Sequence, residues 1–335
     1  MGLFLLPGPA RRTLRAASLA VSPARIPATR GLLRPVVQPG TMGTATLPEG
    51  WTEGTVEANG VRLHYTRTGG DGPDVVVAHG VFDDGPCRTP LLRELAGEYD
   101  VVAYDARGHG RSAAPESGYG PDDRAADLVG LLDALDVADP VLFGHSMGGD
   151  TVLATAAAHP DLLRAVVAVD PACMLDRDRD EDGQADGGET ADAPGDAGDE
   201  TPEDPAGEVR EQVLWWQDHT KAQLLEADEE LAGHVEAGET ELAALLANAR
   251  LRVSPNVVAV FRAGWLDPAE RFPEITAPTL VLRADAEEAA RERDRERASL
   301  LADGRVVHVD DAGHCVFRDE RELATRELRE FLDGV

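Results

Sequence analysis

Residues 141–149 join an apolar run to a serine with glycines on both sides, in the order Val-Leu-Phe-Gly-His-Ser-Met-Gly-Gly. A serine hydroxyl becomes a nucleophile when a base removes its proton, so the chain must hold the oxygen where a base can reach it. A sharp turn between a buried strand and a helix does this, and the flanking glycines remove Cβ atoms that would clash. The apolar run predicts the strand, and residues 151–158 predict the helix. Ser146 is therefore the candidate nucleophile.

A second apolar segment could stabilise the charge that develops when a serine attacks a carbonyl. Residues 75–80 run from three valines into Ala-His-Gly. The tetrahedral intermediate carries an oxyanion, which needs two N–H donors aimed at it. We expect the backbone N–H of Met147 to be one donor of this oxyanion hole. The N–H of Val81, or otherwise that of Phe82, is the second.

Five motifs in a fixed order resemble those of the α/β-hydrolase superfamily, and together they cover most of residues 51–335. They are His-Gly at 79–80, Asp-Ala-Arg-Gly-His-Gly-Arg-Ser at 105–112, the serine motif at 144–149, Pro-Thr-Leu-Val-Leu at 278–282 and Asp-Ala-Gly-His at 311–314. The resemblance implies a serine hydrolase in which His314 is the base that activates Ser146. A serine at the turn, rather than an aspartate, argues against haloalkane dehalogenase and epoxide hydrolase chemistry.

The carboxylate that orients this base has three candidates. The order serine, acid, histidine places the acid after the strand at residues 280–283, where Asp285 comes first. The commoner family spacing of glycine, two residues and acid selects Glu287, but the glycine itself is absent here. Some relatives use an acid after the preceding strand, which would be Asp170. We favour Asp285, because a short side chain leaving the strand end is well placed, and keep Glu287 and Asp170 as alternatives.

These residues are far apart in the chain, so a scaffold must bring them together. Residues 53–67 predict two strands joined at Asn59-Gly60, a good hairpin signal. Further apolar strands alternate with helical stretches and complete eight strands. Such alternation predicts ligand binding at the C-terminal ends of parallel strands. The predicted fold class is α/β: a mostly parallel eight-stranded sheet flanked by helices, the α/β-hydrolase fold, with an inserted helical cap.

The expected organisation is an extension at 1–41, a core at 42–172 and 267–335, and a cap insertion at 173–266. The extension holds six Arg and no acid, and we expect it to be disordered, with Met42 as the true start. Within the cap, residues 176–207 hold 13 acids and two Arg, which predicts a disordered acidic segment. Helical stretches follow at 208–227, 239–252 and 255–265, and we expect Trp216 and Trp265 mainly to pack the cap onto the core.

The whole chain is acidic, with 62 Asp and Glu against 32 Lys and Arg, a formal net charge of −30, and Lys221 as its one lysine. This composition resembles that of proteins from extreme halophiles. It disfavours nucleic acids and anionic membranes as partners. Three cysteines are too few for a disulfide framework and fit a cytoplasmic location. No apolar run is long enough to predict a transmembrane helix.

Residues 178–189 match the calcium-loop pattern Asp-x-Asp-x-Asp-Gly-x5-Glu, with Asp186 at the ninth place. Ala185 occupies the usual bulky apolar place, and Pro194 breaks any exit helix. In so acidic a stretch we interpret the match as chance, and we expect neither a metal nor a cofactor.

Together these features predict a carboxylesterase-like serine hydrolase that cleaves an ester, lactone or thioester of a small molecule through an acyl-enzyme on Ser146. Two alternatives remain on the same fold. One is an acyltransferase, and the other is a catalytically silent ligand-binding protein.

Overall fold

The computed structural model describes residues 47–175 and 205–335. The expected extension, the calcium-loop pattern and nearly all of the acidic segment lie outside these residues. The strands are β1 (Thr52–Ala58), β2 (Val61–Arg67), β3 (Asp74–Ala78), β4 (Asp100–Tyr104), β5 (Val141–His145), β6 (Ala165–Val169), β7 (Thr279–Arg283) and β8 (Gly304–His308). The helices are α1 (Thr89–Leu95), α2 (Pro121–Ala134), α3 (Met147–Ala158), α4 (Pro205–Gln217), α5 (Lys221–Ala227), α6 (Glu229–Glu236), α7 (Thr240–Arg252), α8 (Val258–Ala263), α9 (Pro268–Arg271), α10 (Glu288–Ala298), α11 (Val316–Asp319) and α12 (Arg321–Leu332).

The eight strands form one sheet in the order β1-β2-β4-β3-β5-β6-β7-β8. Strand β2 pairs antiparallel with both of its neighbours, and the other neighbouring pairs are parallel. The predicted fold class is therefore confirmed. The order places β5, β6 and β7 side by side, so the loops that follow these strands meet at one edge of the sheet.

Both faces of the central strands are buried, because helices cover the sheet on each side. In β3, Val76 belongs to the hydrophobic cluster that includes residues of α2 and α3, whereas Val75 and Val77 belong to the cluster with α1 and α12. Successive side chains of a strand point to opposite faces, which explains this division. A strand buried on both faces reads as a continuous apolar run, as β3, β5 and β6 do.

Helices α4 to α8 lie between β6 and β7 in the chain. Helices α4 to α7 share a third hydrophobic cluster, which includes Trp216, Leu231 and Leu246, and Phe82 from the loop after β3 packs against it, whereas Val260 of α8 belongs to the cluster with α2 and α3. The inserted helices therefore pack against the edge of the sheet at which the loops after the parallel strands lie.

No helix within 47–175 and 205–335 combines the length and the apolar character needed to cross a membrane.

Candidate active site

Ser146 occupies a sharp turn between β5 and α3. Its φ is +54° and its ψ −116°, a backbone conformation that costs energy for a residue with a side chain and persists when its surroundings fix it. A Cβ added at Gly144 would lie 2.2 Å from the carbonyl oxygen of Gly148, and one at Gly148 would lie 2.3 Å from that of Ala78. Glycine is therefore required on both sides of the turn that presents the serine.

The loop after β8 brings His314 to this serine. The imidazole Nε2 lies 3.0 Å from Ser146 Oγ, and Nδ1 lies 2.6 Å from Oδ2 of Asp170. An ionised carboxylate only accepts hydrogen bonds, so Nδ1 carries the proton and Nε2 is left as the acceptor facing the hydroxyl. The arrangement can therefore deprotonate the serine and stabilise the imidazolium that results.

The preference for Asp285 is a wrong prediction, because the carboxylate beside His314 belongs to Asp170. Asp285 is exposed, where its Oδ1 accepts from Arg291 Nη2 at 2.6 Å and its Oδ2 accepts from the N–H of Asp311 at 3.0 Å. Glu287 is exposed as well, at the start of α10. Asp170 directly follows β6, which is the neighbour of β5 in the sheet, so it is the candidate nearest to the serine turn.

Asp170 is buried and anchored at both of its oxygens. While Oδ2 contacts His314, Oδ1 accepts from Arg283 Nη1 at 2.6 Å and from the N–H of Ala284 at 3.2 Å. Burial by itself raises the pKa of Asp170. The hydrogen bond from His314 and the charge of Arg283 outweigh burial and leave this pKa below its usual value. The carboxylate is therefore ionised at neutral pH.

The two expected oxyanion donors flank the serine. Met147 is the first residue of α3, and a Cβ added at Gly80 would lie 3.6 Å from Cβ of Ser146, so the loop that carries Val81 passes beside the nucleophile. Within the described ranges, neither the Met147 nor the Val81 N–H donates to a protein acceptor. Both amides are thus available to a substrate oxygen.

Two histidines fix the loop that carries Val81. His79 Nε2 accepts from the N–H of Ala106 at 2.9 Å, so its Nδ1–H donates to the carbonyl of Gly80 at 2.7 Å. His109 Nε2 contacts the carbonyl oxygen of Val81, and burial lowers the pKa of His109 to about 4, which keeps this ring neutral. The block at 105–112 therefore supports the loop after β3.

A buried ionic group on the other side of His314 escaped the sequence reasoning, which assigned His145 to packing. The Nε2–H of His145 donates to the carbonyl of His314 at 2.9 Å, and its Nδ1 accepts from Arg88 Nη2 at 3.0 Å. Burial and the nearby Arg88 hold the pKa of His145 well below its usual value. Arg88 also pairs with Asp83, whose second oxygen accepts from Arg318 Nη2 at 2.6 Å. The sequence signal for this group is the charge of Asp83 and Arg88, which both follow β3.

Aromatic side chains connect the loop after β3 to the inserted helices. The ring of Phe82 lies 5.0 Å from that of Trp216, edge to face, and 6.5 Å from that of Phe261, which in turn lies 6.0 Å from Trp265. Trp216 is buried, with its Nε1–H donated to Asp228 at 3.1 Å. Apolar walls of this kind suit uncharged groups of a ligand.

The three cysteines carry thiols whose pKa is raised by their surroundings. Burial raises the pKa of the thiols of Cys87, Cys173 and Cys315, so these groups stay protonated. No three side chains of His, Cys, Asp or Glu within 47–175 and 205–335 are grouped as metal ligands.

Proteins of known activity resemble parts of this chain. It is 39% identical over 104 residues to 2-(acetamidomethylene)succinate hydrolase of Mesorhizobium japonicum, a match that covers 31% of this chain and 37% of that protein. It is 35% identical over 119 residues to N-formylmaleamate deformylase of Pseudomonas putida, covering 35% and 44% of the two chains. It is 39% identical over 122 residues to lipase LipV of Mycobacterium tuberculosis, covering 36% and 45%. The chain thus matches less than half the length of each.

Solved structures share the fold over a longer stretch. The enol-lactonase from Burkholderia xenovorans superposes with a TM-score of 0.60 and 24% identity, covering 84% of this chain and 100% of that one. A thermophilic esterase from Thermogutta terrifontis gives a TM-score of 0.61 at 22% identity, covering 84% and 98%. The model of the alpha/beta hydrolase family matches residues 75–326, most of the chain. The chain belongs to the alpha/beta hydrolase family.

Proposed function

We propose that the protein is a serine hydrolase that cleaves a carboxylic ester, lactone or thioester of a small molecule through an acyl-enzyme on Ser146. The observation that carries the proposal is the geometry of one histidine. His314 Nε2 lies 3.0 Å from Ser146 Oγ while its Nδ1 lies 2.6 Å from Asp170. A base within hydrogen-bond reach of a serine, itself oriented by a buried carboxylate, is the arrangement that activates the hydroxyl.

The reaction has two halves that use the same groups. His314 takes the proton of Ser146 as Oγ attacks the substrate carbonyl, and the N–H groups of Met147 and Val81 bind the developing oxyanion. The imidazolium then protonates the leaving alcohol or thiol, which departs and leaves the acyl group on the serine. Water enters, gives its proton to the imidazole and attacks the acyl carbonyl, so that the acid is released and Ser146 is restored.

The aromatic side chains joined to the loop of the proposed oxyanion donor support uncharged acyl groups as substrates. Phe82 is the residue after the proposed oxyanion donor, and it packs against Trp216 and Phe261 from the inserted helices. The names of several relatives, among them a lipase, support ester or amide hydrolysis as the class of reaction. The free state of the three cysteines supports a reducing compartment, the cytoplasm.

The test is hydrolysis of p-nitrophenyl acetate and butyrate in concentrated KCl, with the Ser146→Ala variant as control. We expect the wild-type protein to release p-nitrophenol with a burst, and the variant to lose roughly 10³-fold or more in rate. In parallel, a fluorophosphonate should label the wild type at Ser146, as located by mass spectrometry of the digested protein.

The alternatives predict different results. Acyl transfer would appear as an ester product that exceeds the free acid when an alcohol is added at low concentration. A silent binding protein would neither hydrolyse the esters nor react with the fluorophosphonate, and that pair of results would refute the proposal.

A further inference from the structure

Arg283, the last residue of β7, contacts the carboxylate that orients the histidine. Its Nη1 donates to Oδ1 of Asp170 at 2.6 Å, its Nη2 donates to the carbonyl of Met174 at 3.1 Å, and its Nε donates to Oδ2 of Asp294 at 2.9 Å. Only 11% of the side chain is exposed. All three guanidinium nitrogens are therefore used, and they join the segment after β6 to α10.

A second buried carboxylate lies behind this arginine. Asp294, on α10, is 2% exposed, and the oxygen that accepts from Arg283 also contacts Nε2 of His308 at 3.0 Å. Arg297 lies 3.7 Å from the other oxygen. The charges along this path therefore alternate: Asp170 is negative, Arg283 is positive and Asp294 is negative. The three residues lie at the end of β6, at the end of β7 and on α10.

This path restricts how Asp170 can sit. A carboxylate bonded only to an imidazole can rotate about its Cβ–Cγ bond, whereas here the guanidinium and the N–H of Ala284 hold Oδ1, so that Oδ2 faces the histidine. A guanidinium does this better than an ammonium, because its donors are fixed in a planar fork.

We propose that Arg283 is a positioning residue for the hydrolysis proposed above: it holds Asp170 in the one orientation that presents Oδ2 to His314, and its charge offsets part of the negative charge that Asp170 presents to the imidazole. The inference rests on the proposed function, because it takes Ser146, His314 and Asp170 to act as one unit. Arg283 acts through Asp170 and touches neither the serine nor the histidine among the contacts described above.

The sign of the electrostatic effect follows from the charges around His314. Besides Arg283, the titratable and charged groups that face the ring within the described residues are Asp170 and His145, with Arg88, Asp83 and Arg318 paired behind His145. Asp319 on the following helix accepts from the N–H of Gly313, the residue before His314. The positive charge of Arg283 offsets part of the negative charge of Asp170. Without it, the full negative charge of Asp170 faces the imidazolium that forms when Ser146 is deprotonated, and stabilises it more strongly.

The test compares Arg283→Met, which removes the charge and the fork, with Arg283→Lys, which removes the fork alone. For Arg283→Met we expect kcat on p-nitrophenyl acetate to fall roughly 10- to 100-fold, because the carboxylate loses its orientation. We also expect the acid limb of the pH profile of kcat/KM to move up by about 0.5–1 unit. Arg283→Lys should lower kcat while leaving the acid limb in place.

Two further variants separate this role from a merely structural one. Arg295→Met is the control, because Arg295 lies on the same helix as Asp294 but pairs with the exposed Glu288 and Glu292, and we expect it to leave the acid limb unmoved. Asp294→Asn makes the positive charge of Arg283 less compensated, so the acid limb should move down, opposite to the shift in Arg283→Met. A fold that is only loosened cannot produce shifts of opposite sign, and shifts in the same direction, or none, would overturn the proposal.

A readout that needs no turnover distinguishes this proposal from the proposed function. The Nδ1–H proton between His314 and Asp170 should give a far-downfield proton NMR signal, assigned by its loss in Asp170→Ala. The pH midpoint of this signal should move in Arg283→Met and in Asp294→Asn in the same directions as the acid limb.

If the wild type hydrolyses no ester, the proposed function fails, and this signal still tests the coupling of Arg283 to His314. An unmoved midpoint in folded Arg283→Met refutes the positioning role. Should that variant not fold, Asp294→Asn decides alone.

Discussion

Asp170 leaves β6 with a φ of +39°, a conformation that aspartate adopts more readily than most residues with a side chain. The turn aims its carboxylate back across the sheet edge to His314. Replacing it with asparagine removes the charge that stabilises the imidazolium and allows the ring to adopt the wrong tautomer. For Asp170→Asn we expect kcat on p-nitrophenyl esters to fall about 10³- to 10⁴-fold with little change in KM, measured by steady-state kinetics.

The matched control for this variant is Asp285→Asn, the same change at the other candidate acid. Because Asp285 is exposed and bonded to Arg291, we expect kcat within about twofold of the wild-type value. The opposite pattern, a large loss at residue 285 and a small one at 170, would overturn the assignment of the acid.

The sequence could name Ser146 and His314 because each lies in a motif whose neighbours dictate its backbone. It could not choose the acid, because chain order allows three carboxylates. Which of them can contact His314 depends on which strands are neighbours in the sheet. One feature of the sequence favours Asp170. Arg283 is the last residue of β7, and a charge at a buried strand end needs an opposite charge nearby. Asp170 directly follows the adjacent strand β6 and supplies that charge.

At the scale of elements, Asp83 joins the loop after β3 to the short turn that carries Arg88 and to α11, which carries Arg318. Burial by itself raises the pKa of Asp83, but Arg318 and Arg88 outweigh burial and hold this pKa well below its usual value. A folded-state pKa below the unfolded one adds stability that is present above the unfolded pKa, about 4, and is lost as pH falls below it.

For Asp83→Asn we expect the free energy of unfolding at pH 7 to fall by about 3–5 kcal/mol, because two buried arginines lose their partner. The acid side of the stability curve should also flatten between pH 5 and pH 3. Denaturant titrations across pH measure both. The comparison is Asp139→Asn, in an exposed pair with Arg164, which should change stability by less than about 0.5 kcal/mol. If Asp83→Asn loses stability at acid pH as steeply as the wild type does, the assignment of this pH dependence to Asp83 is wrong.

Phe82 connects the loop after β3 to the inserted helices through Trp216 and Phe261. We therefore expect its removal to weaken the binding of the acyl group of a substrate. For Phe82→Ala we expect kcat/KM on p-nitrophenyl butyrate to fall roughly 5- to 20-fold relative to that on the acetate, since each buried methylene is worth about 1 kcal/mol or more. The ratio of the two specificity constants is the measurement.

Phe317→Ala serves as the control for this prediction, because Phe317 packs on Phe143 in a different hydrophobic cluster. It should lower stability and leave the butyrate-to-acetate ratio unchanged. An equal loss on both esters in Phe82→Ala would argue that the side chain supports the loop without contacting the acyl group.

The sheet was predictable because its strands carry period-two or fully apolar patterns. Residues 165–169 form β6 as predicted, and the hairpin turns at Asn59 and Gly60, where both φ values are positive. The inserted helices were harder. The predicted helix at 208–227 is two helices, since Thr220 caps a new one through the N–H of Gln223, and α6 was missed because Asp228 starts it directly after α5 ends. Helix caps formed by side chains interrupt a pattern that periodicity alone extends.

For the whole molecule, the formal net charge of −30 predicts strong self-repulsion at low salt. We propose that the protein is adapted to concentrated salt, where screening shortens the range of charge repulsion to about 3 Å at 1 M. We expect the melting temperature to rise by more than about 10 °C between 0.1 and 2 M KCl, measured by differential scanning fluorimetry.

Sucrose at matched osmolality provides the control, because it favours compact states without screening charge. It should raise the melting temperature less than KCl does. An unchanged or falling melting temperature in KCl would refute the proposed adaptation.

The junction at which the helical insertion begins is hydrogen-bonded to the backbone of Ser146. The carbonyl of Ser146 accepts from the N–H of Ala172, and the carbonyl of Met174 accepts from Arg283 and Arg297. These bonds tie the first residues of the insertion to the serine turn and to the end of β7. We therefore expect exchange of helices α4 to α7, which lie beyond this junction, to change which substrates bind while the contacts among Ser146, His314 and Asp170 stay as they are.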